Sequence, residues 1–327
     1  MLISIIIPIY NVADYIKRAL LAALNQQYPD IEILLVDDCS TDQSMNIVDS
    51  VLATHPRSQV VQIIHHPNNK GLSEARNSGL KHAKGEYVFF LDSDDAIPED
   101  CLSNLVAPVG QFYPQCIVGD YEVSDPTRYK KAPLFLKEGY YHGPEIINKI
   151  YLKRKMMYGM VWNKLYKRTF LIENNLFFKE GIYHEDELWS FQLFTLLDSI
   201  FMVRKVSYLY EIRPTSISQK ISCKRQTDQL IITHEMDKWM KKHVDLLNNK
   251  KLIQFFEDWK NKLFRTMIRA EFDEASIKRY YNELRRIQPV SPYKLFFYRC
   301  SFKQFVRKIH YLTNPQKGLQ IMKYLMK

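Results

Sequence analysis

The sequence predicts an α/β fold, a mostly parallel sheet with helices on both faces, followed by a helical C-terminal region. Three observations predict it. Strand-like and helix-like hydrophobic periods alternate through the first 120 residues, each strand-like run ends in polar residues, and from Lys224 onward the periodicity is helical almost throughout.

Leu2 to Ile9 is a continuous run rich in β-branched residues and reads as a buried strand. Val12, Ile16, Leu20, Ala23 and Leu24 recur at helical spacing, which predicts a helix over 12–26, and Ile31 to Val36 is a second buried strand. Asp42 is placed to cap a helix reaching Ala53; Gln59 to His65 is strand, Leu72 to Ala83 helix, and Glu86 to Leu91 strand again. Strands and helices alternating in this way form a Rossmann-like sheet, whose ligands bind beyond the carboxyl ends of the strands. The residues found there are Tyr10-Asn11, Asp37-Asp38-Cys39-Ser40, Asn68-Asn69-Lys70-Gly71 and Asp92-Ser93-Asp94-Asp95, so all four loops are expected to line one crevice.

Downstream the pattern loosens. Residues 121–143 read as an irregular segment or hairpin, 144–155 as helical, and the stretch from Tyr158 as a polar loop leading into a helix from Glu185 to Leu197, with a strand over IFMVRKVSYLY after it. The expected organisation is a domain over 1–220, with halves 1–120 and 121–220, and a basic helical region over 221–327, broken at Gln288-Pro289, Ser291-Pro292 and Asn314-Pro315.

Composition narrows the class. With 46% hydrophobic and 13% aromatic residues the chain can bury a sizeable core and is not a disordered protein. Its five cysteines, Cys39, Cys101, Cys116, Cys223 and Cys300, are scattered and form no CxxC pair, which argues against a disulfide framework or a zinc cage and fits a reducing cytosol. The apolar run at the N-terminus stops at Pro8, too short for a signal peptide or a membrane span. The net charge of +10 is uneven: residues 275–327 carry twelve Lys or Arg and one acid, Glu283, leaving the first 274 residues at about −1.

The segment EYVFFLDSDDAIPED sets Asp92, Asp94 and Asp95 directly after a strand. Carboxylates so close repel one another unless a divalent cation sits among them or the turn is solvated. There is no GxGxxG after the first strand and no GxxxxGK[ST], so the two commonest glycine-rich phosphate cradles are missing. An acid-lined crevice accepts a nucleotide diphosphate only through a cation, and oxygen ligands suit Mg²⁺ or Mn²⁺.

Four collinear segments, SIIIPIYN, LLVDDCSTDQS, NKGLSEARNSGLKHAKGEYVFFLDSDD and EGIYHEDELW, together resemble the family 2 glycosyltransferases of the GT-A fold, of bacterial surface-polysaccharide type, over roughly residues 1–215. The resemblance implies a nucleotide-sugar donor, a UDP-sugar, with Pro8 and Tyr10 beside the base and Asp38 hydrogen-bonded to it. Asp92 would meet the ribose or the metal, Ser93 would fall with the donor residues, and Asp94 would ligate the Mn²⁺ or Mg²⁺ that bridges the diphosphate. Read without the resemblance, Asp37 and Asp38 are loop acids starting an Asx-turn. Arg76 either faces phosphate or structures its helix, and Asp95 either joins the cluster or caps the turn before Pro98.

Transfer with inversion needs one group to take the acceptor's proton. The resemblance implies Asp186 as that base and Glu185 as a supporting or acceptor-binding group; the alternative is that Glu185, Asp186 and Glu187 serve the positive N-terminus of their helix. His184 is a metal or phosphate contact or a polar loop residue. Trp162, Asn163 and Lys164 resemble an acceptor-side segment, with Trp162 as core the alternative, and Arg213 either clamps the diphosphate or forms a surface ion pair. The chain has no QxxRW motif and no long membrane span, which favours single-sugar transfer over polymer extrusion.

In the tail, Phe302, Phe305, Val306, Ile309 and Leu312 share one helical face and Arg299, Lys303 and Arg307 the other, the layout of an interfacial helix on an anionic membrane. Packing on the catalytic domain is the alternative, and nucleic acid is not expected, because no RNA-binding signature accompanies the basic residues. These readings point to a peripheral enzyme on the cytoplasmic face of the membrane, extending a saccharide or lipid-linked saccharide in surface-polysaccharide synthesis. A nucleotidyltransferase and a non-catalytic membrane-surface binding protein are the rival classes.

Overall fold

The computed structural model describes residues 1–124, 137–152, 159–212, 223–270, 272–296, 298 and 302–326. The chain divides into two compact units, Met1–Ile217 and Ser218–Lys327.

The first unit runs β1 (Ile3–Ile9), α1 (Ala13–Leu24), β2 (Ile31–Asp37), α2 (Ser44–Leu52), β3 (Val61–His65), α3 (Leu72–His82), β4 (Tyr87–Phe90), α4 (Cys101–Val106), α5 (Val109–Phe112), β5 (Cys116–Val123), β6 (Gly139–His142), β7 (Lys164–Lys167), α6 (Arg168–Glu173), α7 (Glu185–Leu196) and β8 (Ser199–Tyr210). One eight-stranded sheet takes the order β3-β2-β1-β4-β7-β5-β8-β6. The pairs β1–β2, β2–β3, β1–β4 and β5–β8 are parallel; β7 runs antiparallel between β4 and β5, and β6 antiparallel on β8. Every residue of β1 is buried, which requires cover on both faces and explains its unbroken apolar run.

The alternating elements of the first 91 residues stand where periodicity predicts them. Periodicity predicts neither β5 nor β7, and the segment expected to be a polar loop after Tyr158 holds β7 and α6. Four residues reading KLYK, with Lys164 buried, carry no alternation to betray a strand. Of the helix expected over 144–155, the described residues hold a π-helical turn at Ile146–Tyr151, and 153–155 lie outside them.

Two details shape the carboxyl edge of the sheet. Pro8 stands in a central strand, where a missing N–H ordinarily breaks a ladder. Ile6 O accepts Leu91 N–H (3.0 Å) and the β1–β4 register ends at Ile6 and Phe90, so the proline nitrogen, two positions on, faces the β4 side where β4 has already left the sheet. The proline thus marks the opening between β1 and β4. There the strand order reverses, β2 and β3 lying to one side of β1 and β4 to the other. Asp42 accepts Ser44 N–H (2.9 Å) and Ala13 N–H (3.0 Å), so one carboxylate serves the positive N-termini of both α1 and α2.

On the amino-terminal side of this opening α3 lies directly on β1. A Cβ at Gly79 would fall inside the Ile6 side chain. Gly79→Ala should therefore destabilise the unit by ~1–3 kcal/mol through overpacking, read as a lower Tm; an unchanged Tm would show that α3 can back away from β1.

The second unit is helical: α8 (Cys223–Lys242), α9 (Lys250–Arg269), α10 (Glu274–Arg286), α11 (Pro292–Phe296), α12 (Phe302–Lys308) and α13 (Pro315–Met326). At its core Lys260 pairs with Glu257 (2.8 Å) and donates to Ile287 O (2.7 Å) and Tyr311 Oη (2.5 Å), while Tyr311 donates back to Glu257 (2.7 Å). A charge pair this buried is helped by the further bonds to Lys260 Nζ and Glu257 Oε2, while Glu257 Oε1 has the ion pair alone. The continuous amphipathic helix expected over 299–312 is not what forms. α12 ends at Lys308 and a 3₁₀ turn covers Ile309–Leu312, which rotates the later side chains off the predicted face. Phe305 and Leu312 are exposed, Val306, Arg307 and Ile309 half-buried, and Lys308 points inward to Leu295 O (2.9 Å). Arg299 lies outside the described residues. Among the described residues no helix is long and apolar enough to cross a membrane.

Candidate active site

The acidic turn after β4 is the centre of the carboxyl edge. Carboxylate oxygens of Asp92, Asp94 and Asp95 lie within 4.8 Å of one another, and among the described residues no other three His, Cys, Asp or Glu side chains converge in this way. Asp95 is buried and held by Tyr208 OH (2.7 Å) and Glu211 N–H (2.7 Å), and Asp92 N–H donates to Tyr208 Oη (3.2 Å). Asp95 therefore fastens the turn to β8. Burial first, then the charges of Asp94 and Asp92, push its carboxyl well above the usual range. From α1, Arg18 donates to Asp94 O (2.6 Å) and pairs with Glu211 (2.5 Å), closing the turn from the other side.

The donor set fits a hard divalent cation through Asp92 and Asp94, both half-buried, whereas both oxygens of Asp95 are engaged by the chain. Ser93 between them is buried.

Arg76 joins this turn to the start of α7. Arg76 is 3% exposed, and its guanidinium donates to Asp92 Oδ1 (2.7 Å) and to Glu185 Oε1 (2.6 Å). Burial alone would lower its pKa, but the carboxylates of Asp92 and Glu185 outweigh that and the net shift is upward. Arg76 thus sits between two carboxylates with its terminal nitrogens occupied.

α7 opens after His184, whose φ of +63° turns the chain into the helix, and its first turn carries Glu185, Asp186 and Glu187. Acids there are favoured by the helix dipole. Asp186 Oδ1 accepts Glu187 N–H (2.9 Å). Burial first, then the neighbouring Glu185 and Glu187, push the Asp186 carboxyl well above the usual range, against the pull of Arg76.

On the side of β1 and β2, Tyr10 is 47% exposed at the strand end while Pro8 is buried within the strand. Asn11, at φ +52°, accepts Thr41 N–H (2.8 Å) and ties the first loop to the second. Asp37 accepts Ser40 N–H (2.9 Å), three residues on and so one beyond the span of the expected Asx-turn. Asp38 is 1% exposed; its oxygens accept Lys70 N–H (2.8 Å) and Gly71 N–H (2.7 Å) and meet His66 Nδ1 (2.7 Å), whose other nitrogen meets Ser78 Oγ (2.8 Å). As the chain stands, Asp38 is engaged by the Lys70-Gly71 loop and His66.

The WNK segment packs inside the unit. Trp162 stacks on Tyr208 (4.4 Å between centroids, 12° between planes) and Tyr210, which is its core alternative. Asn163, at φ +67°, donates to Gly119 O (2.7 Å) and accepts from Ser207. Lys164 donates to Met160 O (2.6 Å) and Trp162 O (3.2 Å), and burial lowers its pKa to about 8. Arg213 lies outside the described residues.

Sequence reasoning missed Arg18, His66 and Tyr208. His66 directly follows a strand, where the other crevice residues were sought; Arg18 and Tyr208 lie within regular elements and carried no signal.

The family model described as Glycosyl transferase family 2 matches residues 4–174. The chain is similar to glycosyltransferase GlyA of Streptococcus pneumoniae serotype 4, 30% identical over 224 residues, which are 66% of this chain and 31% of that one. It is also similar to glycosyltransferase GlyG of the same organism, 30% identical over 221 residues, 66% of this chain and 72% of that one. The first curated relatives are longer proteins, of which the chain spans between 31% and 63%. Among solved structures, residues 1–349 of Staphylococcus aureus TarS in complex with UDP-GlcNAc match with a TM-score of 0.80 at 21% identity, covering 100% of this chain and 90% of that one. At that identity the likeness shows the fold, which is the GT-A fold that the sequence predicts.

Proposed function

The chain belongs to glycosyl transferase family 2, and from that premise we propose that it transfers a sugar, with inversion, from a nucleotide-diphosphate donor to a saccharide acceptor, assisted by Mn²⁺ or Mg²⁺. The observation that carries this reading is the convergence of three carboxylates at the strand-order reversal, tied through Arg76 to the acid-rich start of α7. UDP-GlcNAc is the first donor to try, because TarS holds it.

Asp94 and Asp92 would hold the cation, which when bound supplies positive charge against the diphosphate. Tyr10 offers an exposed ring to the base at the opening that Pro8 marks. Asp38 fixes the Lys70-Gly71 loop beside it and meets the base at the expense of those bonds, and Ser93 lies between the two metal carboxylates. Asp186 takes the acceptor's proton, and its raised pKa suits that task, since a stronger base accepts a proton more readily near neutral pH. Glu185 keeps Asp186 in place through Arg76.

The second unit supports the reading of a lipid-linked acceptor at the cytoplasmic face of an anionic membrane. Its tail is basic, and Tyr293, Phe305, Leu312 and Tyr324 are exposed there. Binding to acidic vesicles should weaken with salt as the Debye length falls from ~10 Å at 0.1 M to ~3 Å at 1 M. Phe305→Ser with Leu312→Ser should remove the salt-resistant remainder. Indifference to acidic vesicles at low salt would mean that the tail serves only the helical core.

Parallel incubation with labelled UDP-sugars and with nucleoside triphosphates tests the class. Sugar transfer or slow UDP release supports the proposal, pyrophosphate release indicates a nucleotidyltransferase, and neither indicates a non-catalytic binding protein.

A further inference from the structure

We infer that Arg76 is a positioning residue that couples the acidic turn after β4 to the start of α7, so that the metal-binding carboxylates and the base are set by one side chain. The inference rests on the proposed function for what the two ends do, and on geometry for the coupling itself.

The two ends are far apart in sequence, Asp92 16 and Glu185 109 residues from Arg76, and the guanidinium reaches both with separate terminal nitrogens. A planar fork does this with two nitrogens set apart, whereas a lysine offers all its donors from one nitrogen and lacks that fixed geometry. The bed under the fork is a ring that the same helix holds in place. The guanidinium lies over Phe178 (5.4 Å to the centroid), and that ring stacks on Trp189 of α7 (4.8 Å, 13°). Asn77, the next residue of α3, donates to Phe178 O (2.9 Å) and accepts Phe178 N–H (2.8 Å), while Ser73 donates to Lys179 O (2.8 Å). One face of α3 therefore grips the segment leading to α7 by its backbone, and Arg76 completes the grip through Glu185.

This arrangement favours the structural role of the two open to Arg76 from sequence. The residue is 3% exposed and each terminal nitrogen donates to a carboxylate, while Nε is buried without a hydrogen-bond partner among the described residues. Its occupation of Asp92 Oδ1 orients the rest of that carboxylate, and its hold on Glu185 anchors the residue next to Asp186. Removing it would leave two carboxylates facing each other without the charge that reconciles them.

The test is the remote effect of Glu185. Calorimetric titration of UDP in Mn²⁺, with UDP release from UDP-GlcNAc as the turnover readout, is compared for wild type, Glu185→Gln, Arg76→Lys, Arg76→Gln and the Arg76→Gln/Glu185→Gln pair. Glu185→Gln, which leaves the metal carboxylates intact, should weaken Mn²⁺-supported UDP binding about tenfold as well as slow turnover, and Arg76→Lys should do both; the double variant should be no worse than Arg76→Gln alone. The same cycle is read by thermal unfolding without any donor, where the two single losses should again fail to add. Glu185→Gln with wild-type UDP affinity, Arg76→Lys with wild-type values of both, or additive losses in the unfolding cycle would overturn the coupling. A wild type that ignores UDP in Mn²⁺ speaks against the proposed function, while the unfolding cycle still decides the coupling.

Discussion

Asp186→Asn should leave UDP binding in Mn²⁺ nearly unchanged and lower sugar transfer by a factor of about 10² or more, the usual scale for removing a general base. The variant keeps the shape of the side chain and the bond from Glu187 N–H, so the start of α7 stays formed. What it loses is the site that receives the acceptor's proton. The pH profile supplies a second sign. Burial and the neighbouring Glu185 and Glu187 raise the Asp186 pKa, and only the ionised form is a base. Transfer should therefore rise with pH through that raised value, on an acid limb lying above the ~3.9 of an ordinary aspartate. Asp186→Asn should lack the limb. Normal transfer by this variant would remove Asp186 as the base.

Asp94→Asn should abolish metal-dependent turnover, by ~10² or more if the cation contributes the several kcal/mol typical of such sites. It exchanges a charged ligand for a neutral one of the same shape in a cluster whose other members are already engaged, Asp92 by Arg76 and Asp95 by Tyr208 and Glu211. Among the described residues no fourth carboxylate joins the cluster. Donor binding in Mn²⁺ should weaken with turnover, which separates this variant from Asp186→Asn. Retention of wild-type metal affinity and turnover would move the metal elsewhere.

The fold of the first 91 residues was legible because parallel strands buried on both faces must be continuously apolar and the helices between them amphipathic, so β1 to β4 announce themselves. The same rule explains the failure at β7. Its four residues include two lysines, and the burial of Lys164 depends on carbonyls of Met160 and Trp162 that only the folded loop supplies. Motif spacing named the acids at the carboxyl edge. It could not say that Asp38 spends its oxygens on the Lys70-Gly71 loop or that Arg76 turns toward carboxylates, because those pairings join residues 16 to 109 positions apart. The tail shows the limit of periodicity itself. A repeat of apolar residues reads as helix through Leu312, yet the chain tightens to 3₁₀ at Ile309, and Lys308 turns inward to a carbonyl that lies 13 residues back.

Release of UDP from UDP-GlcNAc and a panel of other nucleotide sugars, followed in Mn²⁺ and in EDTA with Asp94→Asn beside the wild type, tests the sugar-transfer account most directly. The account predicts slow release from at least one donor in Mn²⁺, abolished by EDTA and by Asp94→Asn. Release that persists in EDTA, or that Asp94→Asn leaves intact, or no release from any donor in the panel, would contradict it.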